Sequence, residues 1–341
     1  MIKLINEDIL NMLSRLSQAH AQANNENVND YRMHNNQPSG VVLDNSNDNF
    51  GALNIGKNKY KLKPTPELYT TLYRGQNKFY KPCNPSIYRK NISYEDRIIN
   101  EFKKIEFIRL LKLHPILKDL SEYKIYDCSM QHDFEGLAQH YGFLTHHLDL
   151  TNNKDIAMFF ATTQYNNGKY EIIKEKQQGV LYKLSYQRNK ERINIIGAQC
   201  LNRPGKQRGF SIALNENENF NDLVDEIEFI EIDEKLSTYY YDMFNAGSVL
   251  IPEDIMSKKA KYILESNVVT NDAINFFIKI NSSYKTENIK TILLKNNYIV
   301  SNKSITFTRK ELRQISKEWF KKGRKDFYSK VYSRGTASSL N

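Results

Sequence analysis

The chain has 341 residues, of which 40% are hydrophobic, 12% aromatic and 26% charged, a composition typical of a globular protein and not of a disordered or fibrous one. No run of about 18 apolar residues occurs, and acidic residues interrupt the short apolar stretch at the start. The sequence therefore predicts neither a membrane span nor a signal peptide, and we expect a cytoplasmic protein without a membrane partner. Three widely spaced cysteines, Cys83, Cys128 and Cys200, fit neither a disulfide framework nor a zinc-ligand spacing.

The net charge of +10 comes from one end of the chain. Residues 266–341 contain 15 Lys/Arg and 5 Asp/Glu, a difference equal to the whole net charge, so residues 1–265 are neutral. Any affinity for nucleic acid or for an acidic partner is therefore expected in this C-terminal region.

The first predicted elements come before and at the start of the main domain. Apolar residues at helical spacing predict an amphipathic helix over 1–20, and an asparagine-rich composition predicts a linker or irregular segment over 21–59. The main domain, over 60–265, opens with a strand-forming run at 68–73 and continues with a long helix that follows Ser93.

Short helices and strands alternate irregularly through the rest of the main domain. Asp133 predicts the start of a helix that ends at Gly142, and Asn152 predicts the start of another, with a loop between them. Apolar runs at 179–186 and 228–232 predict strands. Helices mixed with non-contiguous short strands favour an α+β fold.

The basic C-terminal region, 266–341, predicts three helices. The last opens with a capping box of Thr308 and Glu311. Four aromatic residues lie among its cations: Trp319, Phe320, Phe327 and Tyr328. The cations and rings can contact phosphates and bases, or the rings can pack on the main domain and leave the charges in solvent.

Arg74 is the first candidate for ligand binding. It stands at a predicted strand end before Gly75, where its forked donors lie beside backbone that a phosphate or carboxylate can approach closely. A structural ion pair is the alternative for this arginine. A second cationic segment, 202–210, contains Gln207 and is open to interpretation as a solvated surface turn.

Residues 139–151 are the richest segment in chemically active side chains. They include three of the seven histidines, a tyrosine and an aspartate, which favours acid/base chemistry or ligand recognition. A metal ion is an alternative ligand for this set, which comprises His140, His146, His147 and Asp149. Their spacing matches no zinc motif, so we predict no metal site. In the remaining interpretation, the histidines satisfy buried polar groups and Asp149 caps a helix or binds loop amides.

Several motifs together resemble those of FRG-domain proteins, which are named for an aromatic-Arg-Gly motif. They are YRGQ at 73–76, PSIYR at 85–89, QHYGFLTHHLDLT at 139–151 with AMFFA after it, QRGF at 207–210, and a closing element at 244–263. Their order is similar to that of the family over 60–265. Where the family has a proline and an arginine in the central loop, this chain has Leu144 and His146. If the family's arginine binds an anion, His146 does so only when protonated.

The resemblance implies a fold and a site, but no reaction. The order of a strand-end arginine, a central aromatic and hydroxyl motif, and a late Gln or Glu is similar to the layout of ADP-ribosyltransferases, which implies NAD as a substrate. In this view, the candidate catalytic residues are Arg74, His140, Tyr141, Asp149 and Gln207. The candidate NAD-binding residues are Arg74, Gly75, Gln76, Thr145 and His146.

The second resemblance implies a role for each candidate residue at a particular group of NAD. Arg74 holds the pyrophosphate or the nicotinamide ribose, while Tyr141 or His140 positions the nicotinamide ring. An oxocarbenium-like state requires an anion nearby, which Gln207 lacks and which Asp149 or Glu228 can supply. Glu228, however, lies on a predicted strand where alternating acids are typical of a solvated face.

Two classes of function are consistent with these patterns. The first is an NAD-dependent ADP-ribosyltransferase acting on protein or nucleic acid, or an NAD glycohydrolase, with a toxin or phage-defence role implied by resemblance to bacterial conflict systems. The second is a non-catalytic nucleotide or nucleic-acid binding module that uses the basic C-terminal helices.

Overall fold

The computed structural model describes residues 50–64, 70–125, 127–196, 201–282 and 284–332. The predicted helix over 1–20 and Cys200 lie outside the described residues. Within these ranges the fold is mixed α+β, as predicted. None of the described helices combines the length and the apolar character needed to cross a bilayer.

The strands are β1 (Phe50–Gly56), β2 (Lys59–Pro64), β3 (Thr71–Gln76), β4 (Lys124–Ile125), β5 (Cys128–Met130), β6 (His147–Thr151), β7 (Thr163–Asn166), β8 (Lys169–Ile172), β9 (Gln177–Ser185), β10 (Ile193–Ile195), β11 (Gly209–Ala213), β12 (Glu226–Ile232), β13 (Val268–Thr270), β14 (Ile299–Ser301) and β15 (Val331–Tyr332). The helices are α1 (Tyr94–Leu113), α2 (Pro115–Glu122), α3 (Phe134–His140), α4 (Lys154–Thr162), α5 (Tyr186–Asn189), α6 (Asn202–Gln207), α7 (Glu234–Met243), α8 (Ile255–Glu265), α9 (Asn271–Ile280), α10 (Thr286–Lys295), α11 (Arg309–Glu318) and α12 (Arg324–Tyr328).

A six-stranded antiparallel sheet, which we call the central sheet, has the order β10-β11-β6-β3-β9-β12. Strand β6 runs through the segment predicted as a loop between two helices, so that prediction was wrong. Leu148 and Leu150 face a buried apolar cluster on one side of the sheet. His147, Asp149 and Thr151 alternate with them. Because every second residue of β6 is polar, the sequence of this segment resembles that of a loop.

A second sheet, of order β15-β1-β2-β5-β4, joins the two ends of the described chain. Strand β1 lies within the segment predicted to be a linker or irregular, over 21–59. That prediction was wrong for Phe50–Gly56, while residues 21–49 lie outside the described residues. Strand β1 pairs with β2 on one side and with β15 on the other, and these ladders order a segment whose composition alone favours irregular backbone.

The predicted helix starts are largely confirmed by capping hydrogen bonds. Ser93 and Asp96 form a capping box at α1, and the Asp133 carboxylate accepts from the Gly136 amide at α3. The cap of α4 is Asn153, one residue after the predicted Asn152, because its side chain accepts from the Ile156 amide.

The C-terminal helices share their apolar contacts with the main domain. Helices α9 and α10 pack on α1 in one cluster, where the Phe102 and Phe277 rings lie 5.0 Å apart. Trp319 and Phe327 are buried in the largest cluster, which also contains residues of α1, α3 and α8. The Trp319 indole donates to the Asp119 carboxylate at 2.9 Å.

A π-helical turn, Trp319–Gly323, joins α11 to α12. Ile315, Trp319 and Phe327 face the core at spacings of four and eight residues. An α-helix with 3.6 residues per turn would rotate Phe327 away from this face, and the wider π turn absorbs the extra residue. Of the two alternatives for the C-terminal aromatic residues, Trp319 and Phe327 therefore follow the one in which the rings pack on the main domain. Phe320, in contrast, is exposed.

Candidate functional site

The candidate site opens where the central sheet separates. Strand β3 pairs with β9 along its whole length but with β6 only at Tyr73 and Thr151. Beyond that pair, the ladder between β3 and β6 stops, and the Arg74 guanidinium donates to the Asp149 carbonyl oxygen at 2.9 Å. A side chain thus satisfies a carbonyl in the gap between the two strands.

A cavity of about 680 Å³ lies at this gap, and its size suits a small-molecule ligand. Arg74, Gly75, Gln76, His140, Asp149 and Gln207, all candidate site residues, line it. They come from four separate segments of the sequence. The fold therefore brings together most of the side chains that sequence analysis selected.

The charge of the lining is predominantly positive. It includes four cations, Arg74, Arg89, Lys81 and Lys90, and a single carboxylate, that of Asp149. The Arg74 Nε is buried and has no hydrogen-bond partner among the described residues. Partial removal from water and the nearby Arg74 charge lower the pKa of Arg89 from its ordinary value. An anion placed between the two guanidinium groups would relieve this repulsion.

Hydrogen bonds fix the orientation of His140. The Gln207 amide nitrogen donates to the Leu250 carbonyl at 3.1 Å, so the amide oxygen of Gln207 faces His140 Nδ1, 2.9 Å away. Because that oxygen only accepts, His140 Nδ1 carries the proton. The buried Nε2 atom has no partner among the described residues and lies 4.0 Å from Asp149 Oδ1.

The Asp149 carboxylate is held on its other side by helix α3. The Gln139 amide nitrogen lies 3.4 Å from Asp149 Oδ2, and the Gln139 oxygen accepts from the Thr145 hydroxyl. Asp149 Oδ1 is buried without a hydrogen-bond partner among the described residues. An uncompensated carboxylate oxygen and an uncompensated imidazole nitrogen therefore lie 4.0 Å apart on two residues that line the cavity.

Three predicted site residues do not line the cavity. Tyr141 is buried in the largest apolar cluster against Phe107, and Thr145 is buried beside Gln139. His146 lies next to Glu135, with 3.2 Å between its Nδ1 and the carboxylate. Although burial raises the pKa of Glu135, hydrogen bonds from His146 and Lys104 hold it at about 2.

The structure explains why position 75 requires a glycine, and sequence analysis did not identify this reason. A Cβ atom at this position would lie 1.7 Å from the Ala157 carbonyl oxygen, because β3 packs directly on α4. Gly75 lines the cavity, but the close approach that requires glycine is that of a helix backbone and not of a ligand.

Glu228, the alternative source of negative charge, lies away from the cavity lining on edge strand β12. It pairs with Lys183 at 2.9 Å, and Glu226 contacts the same ammonium group at 2.7 Å. The two acids on this strand therefore behave as partners of a surface lysine. Asp149 is the carboxylate that reaches the cavity.

Sequence analysis missed several functional candidates. Arg89 follows a single 3₁₀ turn, Ser86–Tyr88, and enters the cavity from a loop. The PSIYR motif contained this arginine, and its position after YRGQ was the available signal. Aromatic rings complete the wall: Tyr73, Tyr80, Tyr88, Phe160, Tyr165 and Tyr170. A cationic cavity with aromatic walls suits a ligand that carries both anionic groups and planar rings.

Fold and cavity together define an α+β domain with a cationic site in a gap of its central sheet. A family model, that of the FRG domain, matches residues 69–169, from just before β3 to the first residue of β8. The chain therefore contains an FRG domain, and this domain holds most of the cavity lining, while Gln207 lies beyond the matched residues. No curated protein and no solved structure is detectably similar to the chain.

Proposed function

We propose that the cavity binds a dinucleotide and that the protein is an NAD-dependent ADP-ribosyltransferase or NAD glycohydrolase. One observation carries the proposal: Arg74, His140, Asp149 and Gln207 line one cavity that also contains a second arginine. In this proposal Arg74 and Arg89 bind the pyrophosphate by charge-assisted hydrogen bonds. The aromatic wall packs on the nicotinamide or adenine ring.

The proposed chemistry is cleavage of the bond between the ribose C1′ and the nicotinamide nitrogen. The electron pair of this bond leaves with nicotinamide, and positive charge develops on the ribose. The Asp149 carboxylate stabilises this charge, as a carboxylate does in glycoside hydrolysis. Water, or a nucleophile of a protein or nucleic acid, then bonds to C1′ and gives its proton to Asp149 or His140 Nε2.

The test measures nicotinamide release and NAD binding separately. We expect Arg74→Ala and Arg89→Ala to weaken the NAD-induced rise in melting temperature, with affinity falling roughly tenfold or more, because each substitution removes charge-assisted hydrogen bonds to the pyrophosphate. Asp149→Asn is expected to retain NAD binding and abolish release. Arg188→Ala is the matched control, since Arg188 is exposed and pairs with Asp225 outside the cavity.

The outcomes separate the two classes of function. NAD binding without release by the unaltered protein would favour a non-catalytic nucleotide module. The NAD proposal would be refuted if the unaltered protein gave neither release nor a shift in melting temperature. It would also be refuted if Arg74→Ala released nicotinamide as fast as the unaltered protein at a low NAD concentration. A toxin or phage-defence role further requires that expression inhibits growth or phage, and that Asp149→Asn abolishes the effect.

The exposed cations of the C-terminal helices favour a second candidate function, nucleic-acid binding. From α11 through the π-helical turn to α12, seven exposed cations have no ion-pair partner within the part of the chain that the structure describes: Arg309, Lys310, Arg313, Lys317, Lys321, Lys322 and Lys325. Lys310, Arg313, Lys317 and Lys321 follow one another at spacings of three and four residues, which places them on one face of the helix. This face presents phosphate-binding groups without the buried Trp319 and Phe327 rings.

RNA and DNA affinity over a range of salt concentrations tests this candidate. We expect Lys317→Glu with Lys321→Glu to weaken binding and to lower the salt slope by about one for each phosphate that is no longer neutralised. Lys57→Glu with Lys235→Glu makes the same charge change at exposed sites elsewhere. Equally weakened binding in the two double variants would show that the helix face has no special role.

A further inference from the structure

A cluster of potential metal ligands lies between helix α3 and strand β6, outside the cavity lining. Glu135 is in the first turn of α3, His147 is the first residue of β6, and His146 directly precedes it. One ligand atom from each residue lies within 4.8 Å of the others. Two imidazoles and a carboxylate form a donor set that Zn²⁺ and similar divalent ions accept.

The neighbouring hydrogen bond orients the buried histidine for ligation. His147 Nδ1 lies 3.0 Å from the Ser211 hydroxyl and 3.4 Å from the Asn194 amide nitrogen. In the tautomer in which Nδ1 donates to Ser211, the Nε2 lone pair is available to bind an ion. Protein metal sites commonly hold a ligating imidazole through its other nitrogen in this way. The side chain is therefore set in one orientation before an ion arrives.

The contact between His146 and Glu135 has the dimensions of two ligands on one ion. Their Nδ1 and Oε1 atoms are 3.2 Å apart. With metal–ligand bonds of about 2.0–2.2 Å, neighbouring ligand atoms of an octahedral or tetrahedral ion lie roughly 2.8–3.6 Å apart. Small rotations of the partly exposed His146 and Glu135 side chains suffice to admit an ion.

Lys104 is the competing cation at this cluster. Its ammonium group contacts Glu135 Oε1 at 2.8 Å and Glu101 at 2.7 Å. Lys104 and His146 both contact Oε1, so an ion that binds this oxygen competes with the ammonium group for it. Glu101 offsets the lysine charge, which reduces the repulsion between Lys104 and an ion at the cluster.

We propose that Glu135, His146 and His147 bind a divalent transition metal ion, with Zn²⁺ the ion best suited to their donor atoms. Such an ion joins α3 to β6 one helical turn from Gln139, the residue that contacts Asp149. The proposal concerns a site separate from the cavity and is tested without NAD.

The experiment uses the full chain without a histidine tag, after treatment with a chelator. Co²⁺ is titrated while its visible absorption bands are recorded, and Zn²⁺ is then added as a competitor. We expect His146→Ala, His147→Ala and Glu135→Gln each to weaken Co²⁺ binding about tenfold or more. His132→Ala removes a histidine outside the cluster and is expected to leave affinity unchanged.

Lys104→Met is expected to change Co²⁺ affinity in the opposite direction to the ligand variants. Removing the competing ammonium group is expected to strengthen Co²⁺ binding, whereas removing a merely structural ion pair would not. Circular dichroism checks the fold of each variant, and the partly exposed His146 and Glu135 keep the test valid if His147→Ala unfolds. Absence of a Co²⁺ spectrum at millimolar concentration, or unchanged affinity in a His146→Ala/Glu135→Gln double variant, would overturn the proposal.

Discussion

Replacing Gly75 with alanine tests the packing that holds the candidate site together. The added Cβ would stand 1.7 Å from the Ala157 carbonyl oxygen, 2.7 Å from its carbonyl carbon and 2.8 Å from the Ala161 amide nitrogen. All three atoms belong to the backbone of α4, so no side chain can rotate to make room. Relief requires that α4 and β3 move apart by more than an ångström across a buried interface.

The expected cost is about 3 kcal/mol of the free energy of unfolding, the upper part of the usual range for overpacking a core. Gly56→Ala is the comparison, because nothing lies within 4 Å of its Cβ and only its φ of +83° disfavours alanine. That variant should be destabilised by about 1 kcal/mol. Urea denaturation of both variants measures the difference, and a Gly75→Ala protein no less stable than Gly56→Ala would refute the packing argument.

Three further predictions concern acid stability, the C-terminal helix and the cavity. Burial lowers the pKa of His114 from 6.5 to about 4. The unfolded state therefore binds a proton at His114 more readily than the folded state does. As the pH decreases from 6.5 to 4, the free energy of unfolding should fall by roughly 3 kcal/mol. Denaturation at several pH values should show a smaller fall in His114→Leu, and an equal fall would contradict the assignment. Trp319→Ala should cost about 3–5 kcal/mol in urea denaturation, whereas Phe320→Ala, at a side chain that is 57% exposed, should change stability by only about 0.5 kcal/mol. Gly209→Ala places a Cβ 2.5 Å from His140 Nε2 and should abolish any NAD-induced rise in melting temperature, while a full rise would show that the His140 orientation does not matter.

Local signals in the sequence predicted well where the helices begin. Ser93, Asp133 and Thr308 each act within a few residues, through hydrogen bonds to the first amides of their own helices. Such contacts depend little on the rest of the fold, which is why the α+β class and most helix starts could be read from the chain.

The gap in the central sheet could not be read in this way. Strand β6 carries polar residues toward α3 because that side faces the cavity and the Glu135 cluster, so its composition is typical of a loop. Arg89 depends on a loop fold that no local pattern predicts. Tyr141 looked suitable because it lies beside His140, but it follows the last residue of α3, its side chain points in a different direction, and its ring enters the core.

The pairing of β1 with β15 also bears on how the protein is made. Phe50 pairs with Val331, so residues far apart in the chain share one ladder. At synthesis rates of about 5–20 residues per second, the ribosome needs roughly 14–56 s to add the intervening segment. Throughout that time, the outer edge of β1 is without its partner and open to pairing with other chains. Strand β15 therefore covers the exposed edge of β1 only late in synthesis. Slow translation prolongs the period in which the nascent chain can aggregate through this edge.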